Sequence, residues 1–62
     1  MMNELVVGQW WLDGNRKFKI TGLNEHTVQY IEIMNELVFN GLTSRIQWEF
    51  DVERGKLKKE GR

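Results

Sequence analysis

The sequence predicts a small all-β domain, built from five short antiparallel strands that form a small barrel or a strongly bent sheet. Glycine and asparagine recur roughly every 8–12 residues, a spacing typical of short strands joined by tight turns. The segments between them are rich in aromatic and β-branched residues, which favour strands. A chain of 62 residues has room for one domain of this kind, of SH3-like or Tudor-like size.

The first four strands follow from the positions of the turn residues. Asp13-Gly14 is a strong hairpin signal after the aromatic segment 9–12. The next two predicted strands have polar and apolar residues in alternation or close to it, with a change of face between Tyr30 and Ile31 that a β-bulge would explain. Asn40-Gly41 predicts a turn that closes a short fourth strand. The predicted segments are 9–12, 17–21, 28–33 and 37–39.

The fifth predicted strand has the most regular pattern. Across 45–53 every even position is apolar and every odd position polar, so that Ile46, Trp48 and Phe50 share one face of a strand. A helix capped by Thr43 or Ser44 is the alternative. With this strand included, the predicted core comprises Val6, Trp10, Leu12, Phe18, Ile20, Val28, Tyr30, Phe39, Ile46, Trp48 and Phe50.

The formal net charge is zero, but the charges are separated along the chain. Residues 1–53 carry four basic and eight acidic side chains, whereas residues 54–62 carry five basic side chains and one acidic side chain. This division predicts a β-rich domain over 1–53 and a basic tail over 54–62 that frays from the fold.

The residue types argue against an enzyme. There is no Cys, and the one His, His26, has no second imidazole with which to hold a metal. Phosphate-loop, dinucleotide and metal-ligand motifs are missing from the sequence. We therefore predict no catalytic residues, no cofactor and no metal.

Part of the chain resembles a group of small bacterial and phage proteins. The run Val7-Gly8-Gln9-Trp10-Trp11, a polar turn, then Phe18-Lys19-Ile20-Thr21-Gly22 and Thr27-Val28-Gln29-Tyr30 is similar to chains that open with a Gly-x-Trp strand and continue with an aromatic-x-Ile/Val strand. These are SH3-like β-barrel accessory proteins encoded by phages or prophages. The resemblance covers about residues 6–33 and implies an inhibitor of a host enzyme or of host anti-phage defence.

Two binding surfaces are predicted, for two classes of function. The first binds a host protein through an aromatic patch rimmed by carboxylates, because buried aromatic side chains anchor interfaces. Its residues are Trp11, Val38, Glu49, Asp51 and Glu53. The alternative is a nucleic-acid-binding β-barrel in which cationic side chains contact phosphate. Its residues are Arg16, Lys17, Lys19, Lys56, Lys58 and Lys59.

Chain length also bears on assembly. So small a monomer buries little apolar surface, and no disulfide or metal is available to stabilise it. We therefore expect a homodimer, with Trp11 and Val38 near the contact and residues 54–62 outside it. The sequence has no apolar run of membrane-spanning length and no secretory signal pattern at its start, so a cytoplasmic location is expected, in the host cell if the protein is phage-encoded.

Overall fold

Five antiparallel strands form one sheet, and a single helix packs on it, in the computed structural model, which describes residues 5–60. The strand order is β4-β3-β2-β1-β5, so that the last strand returns to pair with the first. The small five-stranded all-β class predicted from the sequence is confirmed. The elements are β1 (Trp10–Asp13), β2 (Arg16–Leu23), β3 (Thr27–Met34), β4 (Leu37–Ser44), α1 (Arg45–Glu53) and β5 (Lys58–Lys59).

Tight turns join the first four strands, as the turn residues predict. Asp13 pairs with Arg16, which leaves Gly14, at φ +62°, within a two-residue loop. Met34 pairs with Leu37, and the two residues between them both have positive φ, as a type I′ hairpin turn requires. Between β2 and β3 the Asn24 side chain accepts hydrogen bonds from two backbone amides, those of residues 26 and 27, at 2.8 Å each.

β4 is longer than predicted. Asn40-Gly41 does not form a turn, because β4 continues to Ser44 in unbroken register with β3. Gly41 lies beneath the ring of Tyr30, its cross-strand partner, where a Cβ atom would come within 2.2 Å of Tyr30 Cζ. Gly41 therefore leaves room for the Tyr30 ring, because it has no side chain. Its backbone flexibility is not used for a turn.

The core lies between one face of the sheet and the helix. The prediction is confirmed for Phe18, Ile20, Val28 and Trp48, and Tyr30 packs at their margin. It missed Leu5, Trp11 and Leu57, which are buried. It was wrong for the remaining members, which are exposed or half-buried: Val6, Trp10, Leu12, Phe39, Ile46 and Phe50.

Residues 45–53 form helix α1, so the strand predicted there is wrong and the helical alternative is correct. Ser44 caps the helix, with its hydroxyl oxygen accepting from the amide of Gln47 at 3.1 Å. Only Trp48 of the three apolar residues expected on one strand face enters the core, where it lies edge-on to Trp11 with ring centroids 6.1 Å apart.

The basic tail is part of the fold as far as Glu60. After α1 the chain turns at Gly55, at φ +81°, and Leu57 is buried. Lys58 and Lys59 then pair with β1 as β5, and the amide of Glu60 donates to the carbonyl of Trp10 at 2.9 Å. The prediction that the chain frays from residue 54 is therefore wrong for these residues, and positions 61 and 62 lie outside the described residues.

Candidate functional site

Two exposed surfaces carry the side chains that could bind a partner. We name the first the acidic helix face, which consists of Ile46, Glu49, Phe50 and Glu53. We name the second the open sheet face, which is the side of the sheet away from α1. Its residues are Trp10, Leu12, Lys17, Lys19, Ile31, Ile33, Val38, Asn40, Leu42 and Lys58.

The acidic helix face follows from the spacing of its residues in α1. Positions 46, 49, 50 and 53 are spaced i, i+3, i+4 and i+7, which places them on one side of a helix. Trp48 is two positions from Ile46 and from Phe50, about 200° around the helix axis, and occupies the opposite, buried side. Ile46 is 71% exposed and Phe50 is 57% exposed. The four side chains border a shallow depression of about 170 Å³.

The carboxylates on α1 do not form the single row that a strand would have produced. Glu49 and Glu53 lie on the acidic helix face, with Arg45 Nε 3.4 Å from Glu49 Oε2. Asp51 is about 200° from Glu49 around the axis. Its carboxylate accepts from Arg54 Nη2 at 3.0 Å and from Gln47 Nε2 at 3.2 Å. Of the three predicted carboxylates, Glu49 and Glu53 therefore share one surface, and Asp51 lies on another side of the helix.

The open sheet face follows from strand alternation and from the register. Trp10 pairs with Lys19, Lys19 with Ile31, and Ile31 with Asn40, so these side chains project on one side. Trp11 is the neighbour of Trp10 and projects on the other side, where it is 1% exposed. Trp11 is therefore a core residue, and the prediction that it lies on a binding or dimer surface is wrong. Val38, from the same predicted set, is 60% exposed on the open sheet face.

Two lysines of the alternative site lie beside Trp10 on the open sheet face, and a third, Lys58, projects on the same side of the sheet. Lys17 Nζ and Lys19 Nζ lie 5.0 and 5.5 Å from the centroid of the Trp10 ring, at cation–π distance. Lys17 Nζ is also 3.4 Å from Glu60 Oε1. Lys58 pairs with Leu12 on the same side.

The other three basic residues of that site lie elsewhere. Arg16 forms a two-point ion pair with Glu32, with Nε–Oε2 and Nη2–Oε1 distances of 2.7 and 3.0 Å. The hydrogen bonds from Arg16 hold the pKa of the Glu32 carboxyl below its ordinary value, and the pKa of Arg16 is raised in return. Lys56 borders a depression near Asp13 and Arg16, and Lys59 pairs with Trp11 on the core side. The six predicted residues therefore do not form one phosphate-binding surface.

Sequence reasoning missed four residues of the two surfaces, Leu12 of the open sheet face among them, by assigning them to the core. Ile46 and Phe50 belong to the acidic helix face, and the i, i+4 spacing of the helical alternative was the signal that could have identified them. Trp10 belongs to the open sheet face, where its basic neighbours Lys17 and Lys19, alternating along β2, were the signal.

No family model, no curated protein and no solved structure matches this chain. Across residues 5–60, no helix has the length and apolar character needed to cross a membrane. Within the same residues, no group of three or more potential metal ligands is found. The two exposed surfaces are therefore the features of the molecule that bear on its function.

Proposed function

We propose that this chain is a non-enzymatic protein-binding module that docks onto a larger protein through the acidic helix face. The observation that carries the proposal is the outward position of Ile46 and Phe50, two large apolar side chains on a helix held in place by buried Trp48. Apolar side chains on a rigid element are suited to anchoring an interface, because little conformational entropy is lost when they are covered.

The chemistry of this face defines the complementary partner. Covering Ile46 and Phe50 would contribute about 1.5–3 kcal/mol each from the hydrophobic effect. Glu49 and Glu53 flank them and would favour a partner whose apolar pocket has a basic rim, since complementary charge speeds encounter and selects among partners. A basic groove that normally holds nucleic acid is one such surface.

The resemblance to small phage proteins gives the proposal its specific form. In that form the protein is a phage-encoded inhibitor that acts in the cytoplasm of the host cell, on a host enzyme or on an anti-phage defence protein. Occupation of a basic functional groove by the acidic helix face would be the means of inhibition, because it would block the access of an anionic substrate.

A nuclease-treated pull-down from host lysate tests the proposal. The wild-type chain is expected to retain a protein partner, and the Phe50→Ala variant to lose at least about tenfold in affinity, as removal of a buried anchor does. Met34→Ala is the matched control, since Met34 is an exposed apolar residue outside α1 and should leave binding unchanged. Equal capture by wild type and the Phe50 variant would count against the acidic helix face.

Nucleic-acid binding is the second candidate, and the position of Trp10 beside Lys17 and Lys19 favours it. An indole on an open sheet face can stack on a base while nearby ammonium groups contact phosphate. Titration with single-stranded oligonucleotides should then show affinity that falls steeply with salt and is lost in Trp10→Ala. Binding that persists in the Trp10 variant, or that ignores salt, would remove this candidate.

A further inference from the structure

Strand β4 is a long edge of the sheet without charged side chains. It runs for eight residues, Leu37–Ser44, and its sequence contains no Asp, Glu, Lys or Arg. Each of the other four strands has at least one charged residue. Leu37, Val38 and Leu42 are each about 60% exposed along this edge. Natural edge strands are usually short, charged or covered, because an open row of backbone groups pairs with other strands.

The opposite edge shows the usual protection. β5 is only two residues long, and both are lysines. It therefore offers a short, cationic edge that discourages further pairing. The same sheet has one protected edge and one edge free for another strand, so that assembly by strand addition would be confined to β4.

We propose that β4 pairs antiparallel with β4 of a second copy, with Asn40 at the two-fold axis. A two-fold axis that relates adjacent antiparallel strands is perpendicular to the sheet, so paired residues must project on the same face. Because side chains alternate along a strand, the two residue numbers of each pair must then be both even or both odd. The register centred on Asn40 meets this condition and pairs seven residues, Leu37 through Thr43.

This register places two exposed apolar residues of the edge, Val38 and Leu42, opposite one another. Val38 and Leu42 both project on the open sheet face, as their pairing with Ile33 and Gln29 shows. In the proposed register Val38 lies opposite the partner's Leu42, and by symmetry Leu42 lies opposite the partner's Val38. Two apolar cross-strand pairs therefore flank a central asparagine pair, a type of contact that stabilises sheets.

The chemistry of β4 favours a second copy as the occupant. Because the strand is uncharged, two-fold pairing brings no like charges into opposition. An edge contact would join the two five-stranded sheets into one.

Single-cysteine cross-linking gives a direct test, since the natural chain has no Cys. Opposite residues of an antiparallel pair have Cα atoms about 4.5–5.5 Å apart, within the range of about 4.4–6.8 Å that a disulfide spans. Asn40→Cys should therefore give a covalent dimer under mild oxidation. Val38→Cys alone should not, whereas a mixture of Val38→Cys and Leu42→Cys chains should form the mixed dimer.

Sedimentation equilibrium of the wild-type chain gives an independent readout. An average mass that rises with concentration toward twice 7.4 kDa is expected. Asn40→Lys should shift the protein to monomer, because residue 40 lies opposite its own copy at the axis and the substitution would place two like charges together. The circular dichroism of the variant should be unchanged. A wild-type mass that stays at 7.4 kDa up to millimolar concentration would overturn the proposal. So would a dimer that cross-links through Val38→Cys alone as readily as through Asn40→Cys.

Discussion

Trp10 and Trp11 are the same residue at adjacent positions of one strand, and they lie in opposite environments. Trp11 is 1% exposed, packs edge-on to Trp48, and donates its indole N–H to Gln9 Oε1 at 3.3 Å. Trp10 is half-buried on the open sheet face, with two lysine ammonium groups near its ring. One indole is a structural residue and the other is available for binding.

The comparison extends to the two faces of the whole sheet. The core face is covered by α1 and by the buried residues at the two ends of the chain, Leu5 and Leu57. The open sheet face has half-buried apolar residues such as Ile31 and Ile33, with lysines around them. Substitutions on the core face should therefore destabilise the fold more than substitutions on the open sheet face do. Paired substitutions on the two faces test this division.

Truncation of the two indoles should give the largest contrast. Trp11→Ala removes a fully buried ring and should destabilise the fold by about 3–5 kcal/mol, enough to unfold much of so small a domain. Trp10→Ala should cost about 1 kcal/mol, because its ring is only half-buried. Urea denaturation followed by circular dichroism measures both. Similar losses for the two variants would contradict the assignment of faces.

Gly41 tests how tightly the core face is packed at its β4 margin. Gly41→Ala would place a methyl group against the ring of Tyr30, which lies 5.3 Å from the Phe18 ring and 5.7 Å from the Trp48 ring, centroid to centroid. Because these neighbours restrict the Tyr30 ring, we expect a loss of about 1–3 kcal/mol in the free energy of unfolding. Thermal denaturation measures it. Wild-type stability would show that Tyr30 moves aside freely.

The two buried indoles differ in hydrogen bonding. Trp48 Nε1 is buried and has no hydrogen-bond partner among residues 5–60, whereas Trp11 Nε1 donates to Gln9. Replacement of Trp48 by Phe removes an unpaired donor along with ring volume, whereas Trp11→Phe also loses a hydrogen bond. We therefore expect Trp48→Phe to be the less destabilising of the two by about 1 kcal/mol in urea denaturation. The reverse order would contradict this account.

The smallest expected effect concerns Glu32 on the core face. Its pKa in the folded state is below the ordinary value of 4.5 because of the hydrogen bonds from Arg16. The ion pair therefore contributes stability above that value and loses it as the pH falls through the lowered pKa. Arg16 is half-exposed, so the contribution should not exceed about 1 kcal/mol.

Denaturation over a series of acidic pH values measures the effect. Glu32→Gln should abolish this part of the decline in stability, while Glu25→Gln, at an exposed turn, should keep it. An unchanged pH profile in the Glu32 variant would show that the ion pair contributes no stability.

Local features of the sequence determined β1, β2, β3, the start of β4 and the turns between them. The hairpin turns at Gly14 and Asn35 use positive φ angles, which few residue types adopt readily. The turn between β2 and β3 is held by hydrogen bonds to the side chain of Asn24. The alternation around Phe18 and Ile20 identified the core face of β2. These features depend on neighbours in the chain, which is why they can be predicted from it.

Only the tertiary structure decided which side of each pattern is buried. Strand alternation predicts that Trp10 and Trp11 point in opposite directions. Which of the two is buried depends on the side of the sheet against which α1 packs. For residues 45–53, period two and a capped helix were both compatible with the sequence, and the helix forms with Trp48 as its only buried residue. Burial depends on contacts between segments distant in the chain, so local sequence does not determine it.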